Sequence, residues 1–446
     1  MWEVGAAGVI WATSIAVAAL WLRGGGVQAL TGGWGQAATT LGRATGLAAA
    51  NLLLYQVLLM ARVPVLERGL GHDRITRWHR STGFWSFWLM LAHVVLVVVG
   101  YAATSGVGWW AQTWDFVVTY PGMLLATAGT LALVAVVALS IRAARRRLRY
   151  ESWHLLHLYA YVGVGLALPH QLWTGADFLA SPAATAYWWT LWALAASAIL
   201  GYRVGAPLWR SARHDLRVAS VSPDGARGVS VRVNGRRLDR LGATAGQYFV
   251  FRFLDGPGWT RGHPFSLSAA PDAAGLSLTA RIVGDGTARL TTLRPGTRVL
   301  AEGPYGRLTG AARTGRLLLM MGAGAGVTPL VSLLEEQPWG PGEAVLVTRD
   351  HHPDDALLTA SADRLVTTRG LVWFRLDGPR AARGPAWLPA QYASSSGTAM
   401  LAHLAGPLDH HDVYLCGPDA WMAAARADLA AAGVAGARVH AESYTT

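Results

Sequence analysis

The stretch Trp78-His79-Arg80-Ser81-Thr82-Gly83-Phe84-Trp85-Ser86-Phe87-Trp88-Leu89-Met90-Leu91-Ala92-His93 continues without a break in apolarity to Tyr101. It reads as a membrane helix carrying two histidines. Fourteen residues separate His79 from His93, which is roughly 21 Å of helix with a phase error of only about 40°. Both rings therefore point to one side, one near each membrane face. A second pair, His157 and His170, lies on the later apolar run Leu158 to Pro169. Two helices that each carry an upper and a lower imidazole can hold two stacked bis-histidine haems. The second spacing is thirteen, about 140° out of phase on an ideal helix, and Pro169 stands where a kink would correct it. His154, one turn before His157, is the rival ligand. Taken singly, any of these histidines would serve as a hydrogen bond between helices; the matched pairs are what point to a metal.

Composition divides the chain in two. At 446 residues it has room for two or three domains. Its apolar excess, 52% hydrophobic residues and 21 Trp in the whole chain, is concentrated in about the first 205 residues. The net charge of +12 comes entirely from Arg, since Lys is absent. A uniform Arg bias of that kind reflects base composition, and no nucleic-acid partner is implied. The single cysteine, Cys416, excludes disulfides, thiolate-bound iron-sulfur clusters and cysteine-rich zinc sites within this chain. The first 22 residues lack a basic start and a cleavage site and read as a retained span.

Six segments have spanning character, near 4–22, 44–61, 84–103, 122–141, 155–173 and 184–204. Arg62, Arg68, Arg74, Arg77 and Arg80 fill the second connection, and Arg142, Arg145, Arg146, Arg147 and Arg149 the fourth. The positive-inside rule places those connections and both termini in the cytoplasm of a multi-pass cell-membrane protein. His79 and His157 then lie at the inner side, His93 and His170 at the outer.

From about Ser211 the texture changes to short alternating strands: His214 to Val221, Val229 to Asn234, Tyr248 to Phe253, Leu276 to Val283 and Arg298 to Ala301. These read as an antiparallel barrel. After Gly315, strand and helix alternate: strand Arg316 to Met321, helix Thr328 to Glu336, strand Ala344 to Thr348, strand Val413 to Cys416 and helix Asp419 to Ala432. That pattern is a Rossmann-like α/β unit. The fold class is thus multidomain: an all-α six-helix transmembrane bundle over 1–207, a β-barrel over 211–310 and an α/β domain over 315–446.

Gly322-Ala323-Gly324-Ala325-Gly326-Val327-Thr328-Pro329 follows a strand and opens a helix, so its backbone can approach a pyrophosphate at the positive helix end. In the barrel, His263-Pro264-Phe265-Ser266-Leu267-Ser268 offers an aromatic face and hydroxyls to a flavin, and Arg281 with Gly286 and Thr287 offers a phosphate cradle.

Across nearly its whole length the chain resembles the ferric reductase and NADPH oxidase superfamily. The resemblance rests on the four histidines, Gly246-Gln247-Tyr248, His263 to Ser268, the glycine-rich run ending Thr328-Pro329, Tyr414-Leu415-Cys416-Gly417-Pro418, and Glu442-Ser443-Tyr444. It implies an enzyme, an oxidoreductase that passes electrons from cytoplasmic NAD(P)H through FAD and two b-type haems to an acceptor on the outer face. The implied haem ligands are His79, His93, His157 and His170. Cys416, Gly417 and Pro418 would line the nicotinamide, with Glu442 near the transfer site and Tyr444 over the flavin, although two Thr follow Tyr444 here. Relatives often carry Arg where His263 stands, and superoxide-generating relatives carry a His where this chain has Val97. Arg43 stands near the outer end of the second span, as a propionate or acceptor ligand or as a snorkelling Arg. In Thr348-Arg349-Asp350, Arg349 suits the 2′-phosphate of NADPH and Asp350 the free hydroxyl of NADH; the expectation is NADPH. Ferric chelate, dioxygen, quinone and a periplasmic protein are all left open as acceptors. The rival from another class is a non-catalytic haem-binding sensor or electron-transfer subunit.

Overall fold

A computed structural model describes residues 2–141, 150–381 and 383–443. The expected Arg cluster at Arg142 to Arg149, and Tyr444, lie outside the described residues. The chain divides into two compact units, Met1–Val204 and Gly205–Thr446.

The first unit is helical: α1 Trp2–Arg23, α2 Trp34–Leu59, α3 His72–Ser105, α4 Trp109–Thr119, α5 Met123–Ser140, α6 Tyr150–Trp173 and α7 Pro182–Ala198, with shorter helical turns between. Helix α4, unforeseen in the sequence, sits between the third and fourth expected spans. Among the described residues, Arg74–Ser105, Met123–Ser140 and Pro182–His214 are long and apolar enough to cross a membrane. Helices α2 and α6 are diluted by polar residues, including Arg43, Asn51 and Gln56 on one and His154, His157 and His170 on the other. Large apolar side chains such as Trp85, Trp88, Leu124 and Leu131 face outward, as lipid-facing residues do.

Two helix pairs pack most closely, α2 with α3 and α5 with α6. Where lipid removes the hydrophobic drive between helices, close approach through small residues takes over. Gly42 of α2 meets Val97 of α3, and Gly129 of α5 meets the Gly163 carbonyl of α6.

The second unit opens with helix α8, Ala206–His214. The strand expected from His214 starts later, because Asp215 takes a left-handed conformation (φ 42°) that ends the helix. Six antiparallel strands follow: β1 Arg217–Asp224, β2 Gly228–Asn234, β3 Tyr248–Phe253, β4 His263–Ser266, β5 Leu276–Arg281 and β6 Val299–Tyr305. They form two sheets, β1-β2-β5 and β4-β3-β6. Bridges Arg217 to Arg298 and Leu267 to Leu278 join the sheets at both seams, closing a barrel around Phe249, Phe251, Leu267 and Leu278.

The rest is a parallel sheet of order β11-β10-β7-β8-β9, from β7 Leu317–Ala323, β8 Ala344–Asp350, β9 Val372–Asp377, β10 His411–Gly417 and β11 Val439–Ser443. Helices α9 Val327–Glu336, α10 Thr359–Arg369, α11 Gly397–Ala405 and α12 Asp419–Ala431 cross between its strands. Barrel and sheet share one compact unit, since Ala245 and Leu308 join the same core as Leu330 and Leu333. Hydrogen bonds cross as well, from the Ala245 and Ala270 amides to Glu336 and Glu335. Buried Asp412 ties three segments together: it accepts from the Thr314 amide at 2.8 Å, from the Gly315 amide, and lies 2.9 Å from His440 Nε2 on β11. Burial pushes the Asp412 carboxyl up, but the His440, Gly315 and Thr314 hydrogen bonds outweigh it and hold the group below the usual carboxylate range.

Candidate functional site

In the first unit, helix α3 places His79 and His93 and helix α6 places His157 and His170. The His79 and His157 rings stand 6.1 Å apart, centroid to centroid. A metal held about 2 Å from one nitrogen of each ring needs a separation of roughly this size. Nδ1 is tethered at three of the four positions: His79 to the Gln56 carbonyl at 3.2 Å, His93 to the Gly42 carbonyl at 2.8 Å, and His157 to Ser140 Oγ at 3.2 Å. At His170, Nδ1 is buried without a partner. A ring anchored through Nδ1 keeps Nε2 for a metal, and the anchor sets tautomer and orientation. A Cβ on Gly46 would come within 2.5 Å of His93 Nδ1, so the glycine makes the space that this ring occupies. The residues present fit a bis-histidine metal group at the His79 and His157 pair.

The signals for these supporting residues lie in the sequence but were not read. Gly42-Arg43-Ala44-Thr45-Gly46 is a small-x-x-x-small spacing, and both glycines serve His93. Helix α6 runs through Pro169 without ending. Trp153 donates to Ser140 Oγ at 3.2 Å and its ring lies 5.1 Å from that of His157 at a tilt of 33°, completing that anchor. His154 takes no part in the 6.1 Å ring pair. Arg43 is bound in a two-pronged pair with buried Asp177, at 2.8 and 2.5 Å.

In the second unit, β7 is the strand from which the chain departs in both directions, with β8 and β9 on one side and β10 and β11 on the other. Ligands of such sheets bind in the crevice at the carboxyl ends of the strands where the order reverses. Gly322 to Gly326 occupies the end of β7 and Cys416-Gly417-Pro418 the end of β10, with Cys416 in register with Gly322. A Cβ on Gly326 would strike the Cys416 carbonyl, so only glycine lets the two strand ends close. The Cys416 thiol is buried in the core; the residue meets the turn through its backbone. Thr328 Oγ1 donates to the Ala325 carbonyl at 2.9 Å and Pro329 is buried in the first turn of α9, together bracing the turn.

Glu442 on β11 pairs in register with Cys416, and its carboxylate lies beside Gly306. Tyr248, whose ring is 5.6 Å from Tyr305, also borders Gly306. Cys416, Glu442 and the two barrel tyrosines are thereby brought to one side of the crevice. His263 and Phe265 lie 6.2 Å apart on β4, and a Cβ on Gly286 would meet His263 Cε1 at 2.8 Å. His263, Gly286, Arg261 and Arg289 line one cavity. Arg289 is held there in a two-pronged pair by the Asp255 carboxylate, and neither Arg261 nor Arg289 was singled out in the sequence. Pro264 is exposed and Ser266 buried. Ser268 stands apart from this cavity, accepting from Thr279 Oγ1 at 2.9 Å inside the barrel seam. Thr287 caps its own turn, accepting from the Val283 and Gly284 amides at 3.0 and 3.3 Å. The Arg281 guanidinium is turned toward Asp350 and the Asp355 carbonyl, at 2.5 and 2.7 Å. Arg349 is held by the Asp350 carbonyl and, at 3.3 Å, by that of Leu376.

Residues 45–168 match the family described as ferric reductase like transmembrane component. The chain is 28% identical over 208 residues to the reductase subunit of a stachydrine N-demethylase from Rhizobium meliloti (strain 1021), covering 44% of this chain and 57% of that protein. It is 25% identical over 228 residues to a superoxide-generating NADPH oxidase heavy chain from Dictyostelium discoideum, covering 46% and 40%. The chain thus spans less than two thirds of either relative. Among solved structures, a ferredoxin NADP+ reductase from Neisseria gonorrhoeae with bound FAD and NADP covers 51% of this chain and 97% of its own, at 19% identity and a TM-score of 0.42.

Proposed function

We propose, for a chain whose residues 45–168 match the ferric-reductase-like transmembrane family, a transmembrane oxidoreductase that takes reducing equivalents from NAD(P)H and delivers them to an acceptor on the outer face. The observation that carries this reading is the 6.1 Å His79 and His157 ring pair with both Nδ1 atoms anchored; further along the same two helices stand His93, its Nδ1 likewise anchored, and His170. FAD and two b-type haems would be its carriers; when bound, they would supply the conversion of a hydride into single electrons and a one-electron relay.

His79 and His157 would hold the inner haem, His93 and His170 the outer. Two ligand pairs staggered by roughly 20 Å along α3 match a hydrocarbon core about 30 Å thick. In the second unit, the cavity of His263, Gly286, Arg261 and Arg289 would take the flavin's phosphates, and Phe265 and Tyr248 its ring. The glycine-rich turn and the start of α9 would hold the dinucleotide pyrophosphate. Glu442 and the Cys416-Gly417-Pro418 backbone would orient the nicotinamide and exclude water. This reading has six spans with both termini cytoplasmic, an orientation that the arginine-rich second and fourth connections support. The acceptor class is a small molecule, ferric chelate or dioxygen, or a periplasmic protein, and membrane lipid surrounds the helices. A visible spectrum of the purified chain, recorded before and after anaerobic NADPH, tests the reading. Flavin bleaching followed by sharpened haem bands is expected; absence of haem, or haem that NADPH never reduces, would overturn it.

A further inference from the structure

The crevice at the end of β8 holds an excess of charged side chains whose pairing has a consequence for nucleotide choice. Three carboxylates converge there, and each is matched by an arginine: Asp350 by Arg281 at 2.5 Å, Asp355 by Arg227 at 3.4 Å, and Asp377 by Arg375 at 3.4 Å. Arg349 is then the cation in excess. Among the described residues its guanidinium is held by main-chain carbonyls and by no carboxylate.

We infer that Arg281, although it belongs to barrel strand β5, acts in the nucleotide crevice, where it cancels the charge of Asp350 and leaves Arg349 free to receive a 2′-phosphate. The inference rests on the reading that this crevice takes a nicotinamide dinucleotide. Three observations place Arg281 there. Its guanidinium lies 3.6 Å from where a Cβ on Gly324 of the glycine-rich turn would be. It binds the Asp350 carboxylate and the Asp355 carbonyl together. Its Nε is buried and has no hydrogen-bond partner among the described residues, so the guanidinium's contacts are those to Asp350 and Asp355.

Asp350 ends β8, beside the position of the adenosine ribose in doubly wound sheets. An unpaired carboxylate there binds a ribose 2′-hydroxyl and repels a 2′-phosphate. The Arg281 pair reverses that preference. Arg349 and Asp350, which argue in opposite directions when read as neighbours in the sequence, therefore cease to compete in the fold.

The test measures binding of 2′-phospho-AMP and of AMP to the purified full chain by calorimetry, which needs no turnover. The native chain should prefer 2′-phospho-AMP. Arg281→Gln should weaken 2′-phospho-AMP by on the order of tenfold or more, since a charge at hydrogen-bond range is exposed, while AMP binding persists and reports an intact crevice. Arg281→Gln combined with Asp350→Asn should recover most of the lost affinity, because the repulsive charge is gone. A single variant that keeps its preference, or a double variant no better than the single, overturns the inference. A native chain that prefers AMP overturns it while leaving a nicotinamide site in place. A native chain that binds neither probe overturns both this inference and the nucleotide reading beneath it.

Discussion

Gly46→Val is the sharpest probe of the proposed His93 and His170 pair. A Cβ at this position would lie 2.5 Å from His93 Nδ1 and 2.9 Å from Cγ and Cε1, whereas carbon atoms rest at about 3.5 to 4.0 Å. The ring must therefore retreat by about 1 Å. Its 2.8 Å hydrogen bond to the Gly42 carbonyl cannot survive a shift of that size in most directions. Overpacking costs about 1 to 3 kcal/mol and the lost hydrogen bond about 1 kcal/mol. Together these weaken ligation at His93 by roughly 30-fold to several hundredfold, at about 1.4 kcal/mol per factor of ten. The assay is haem stoichiometry by pyridine haemochrome on purified protein, with flavin content measured alongside. Gly46→Val should retain flavin and about half of the haem. Gly8→Ala, on a helix position with nothing within 4 Å of the added carbon, should retain all of it. Full haem with an unaltered spectrum in Gly46→Val would refute the assignment of His93 as a ligand.

Three further outcomes are expected. Replacing either His79 or His157 by Ala should remove the half of the haem that Gly46→Val spares, while His154→Ala should leave haem unchanged; haem loss on His154→Ala alone would move the ligand one turn. NADPH-loaded right-side-out vesicles should reduce a membrane-impermeant ferric chelate outside, and His170→Ala should abolish this while dye reduction at the flavin persists; wild-type chelate reduction in that variant would mean that the histidines are not the route. Because the Asp412 carboxyl is held below its ordinary range, its stabilising contribution is full above the unfolded value near 3.8 and is lost as pH falls through the lower folded value. Thermal unfolding of the native chain should therefore weaken steeply in acid, and Asp412→Asn should lower the midpoint at neutral pH by several degrees and flatten that dependence; an unchanged midpoint would remove Asp412 as the joint between β10, β11 and the Thr314 segment.

The sequence by itself determined what depends on local order along the chain. Apolar runs of spanning length, the fourteen-residue interval on α3, the alternation of β3 and the strand-turn-helix around Gly322 to Thr328 are all periodic or contiguous signals. Helices cover the apolar runs, three of them long and apolar enough to cross a membrane among the described residues, and β3 and the strand-turn-helix appear where the pattern puts them. Short strands without a strong period, β9 and β11, and the crossing helices α10 and α11 were not read, because their apolar positions are set by the neighbour they cover. Helix α4 escaped for the same reason: only Gln112 and Phe116 of its residues are buried.

Tertiary structure alone decided which side chains meet. That His79 faces His157 depends on how α3 and α6 approach, and a sequence spacing on one helix says nothing of the phase of another. The anchors at Gln56, Gly42 and Ser140 lie 23, 51 and 17 residues from the rings they hold. Arg281 shows the limit most clearly. Its neighbours in sequence, Gly286 and Thr287, suggested a flavin phosphate cradle, whereas closure of the barrel against the parallel sheet carries its guanidinium to Asp350, 69 residues away. Charge pairing of that kind is a property of two surfaces brought together, and no window of sequence contains both.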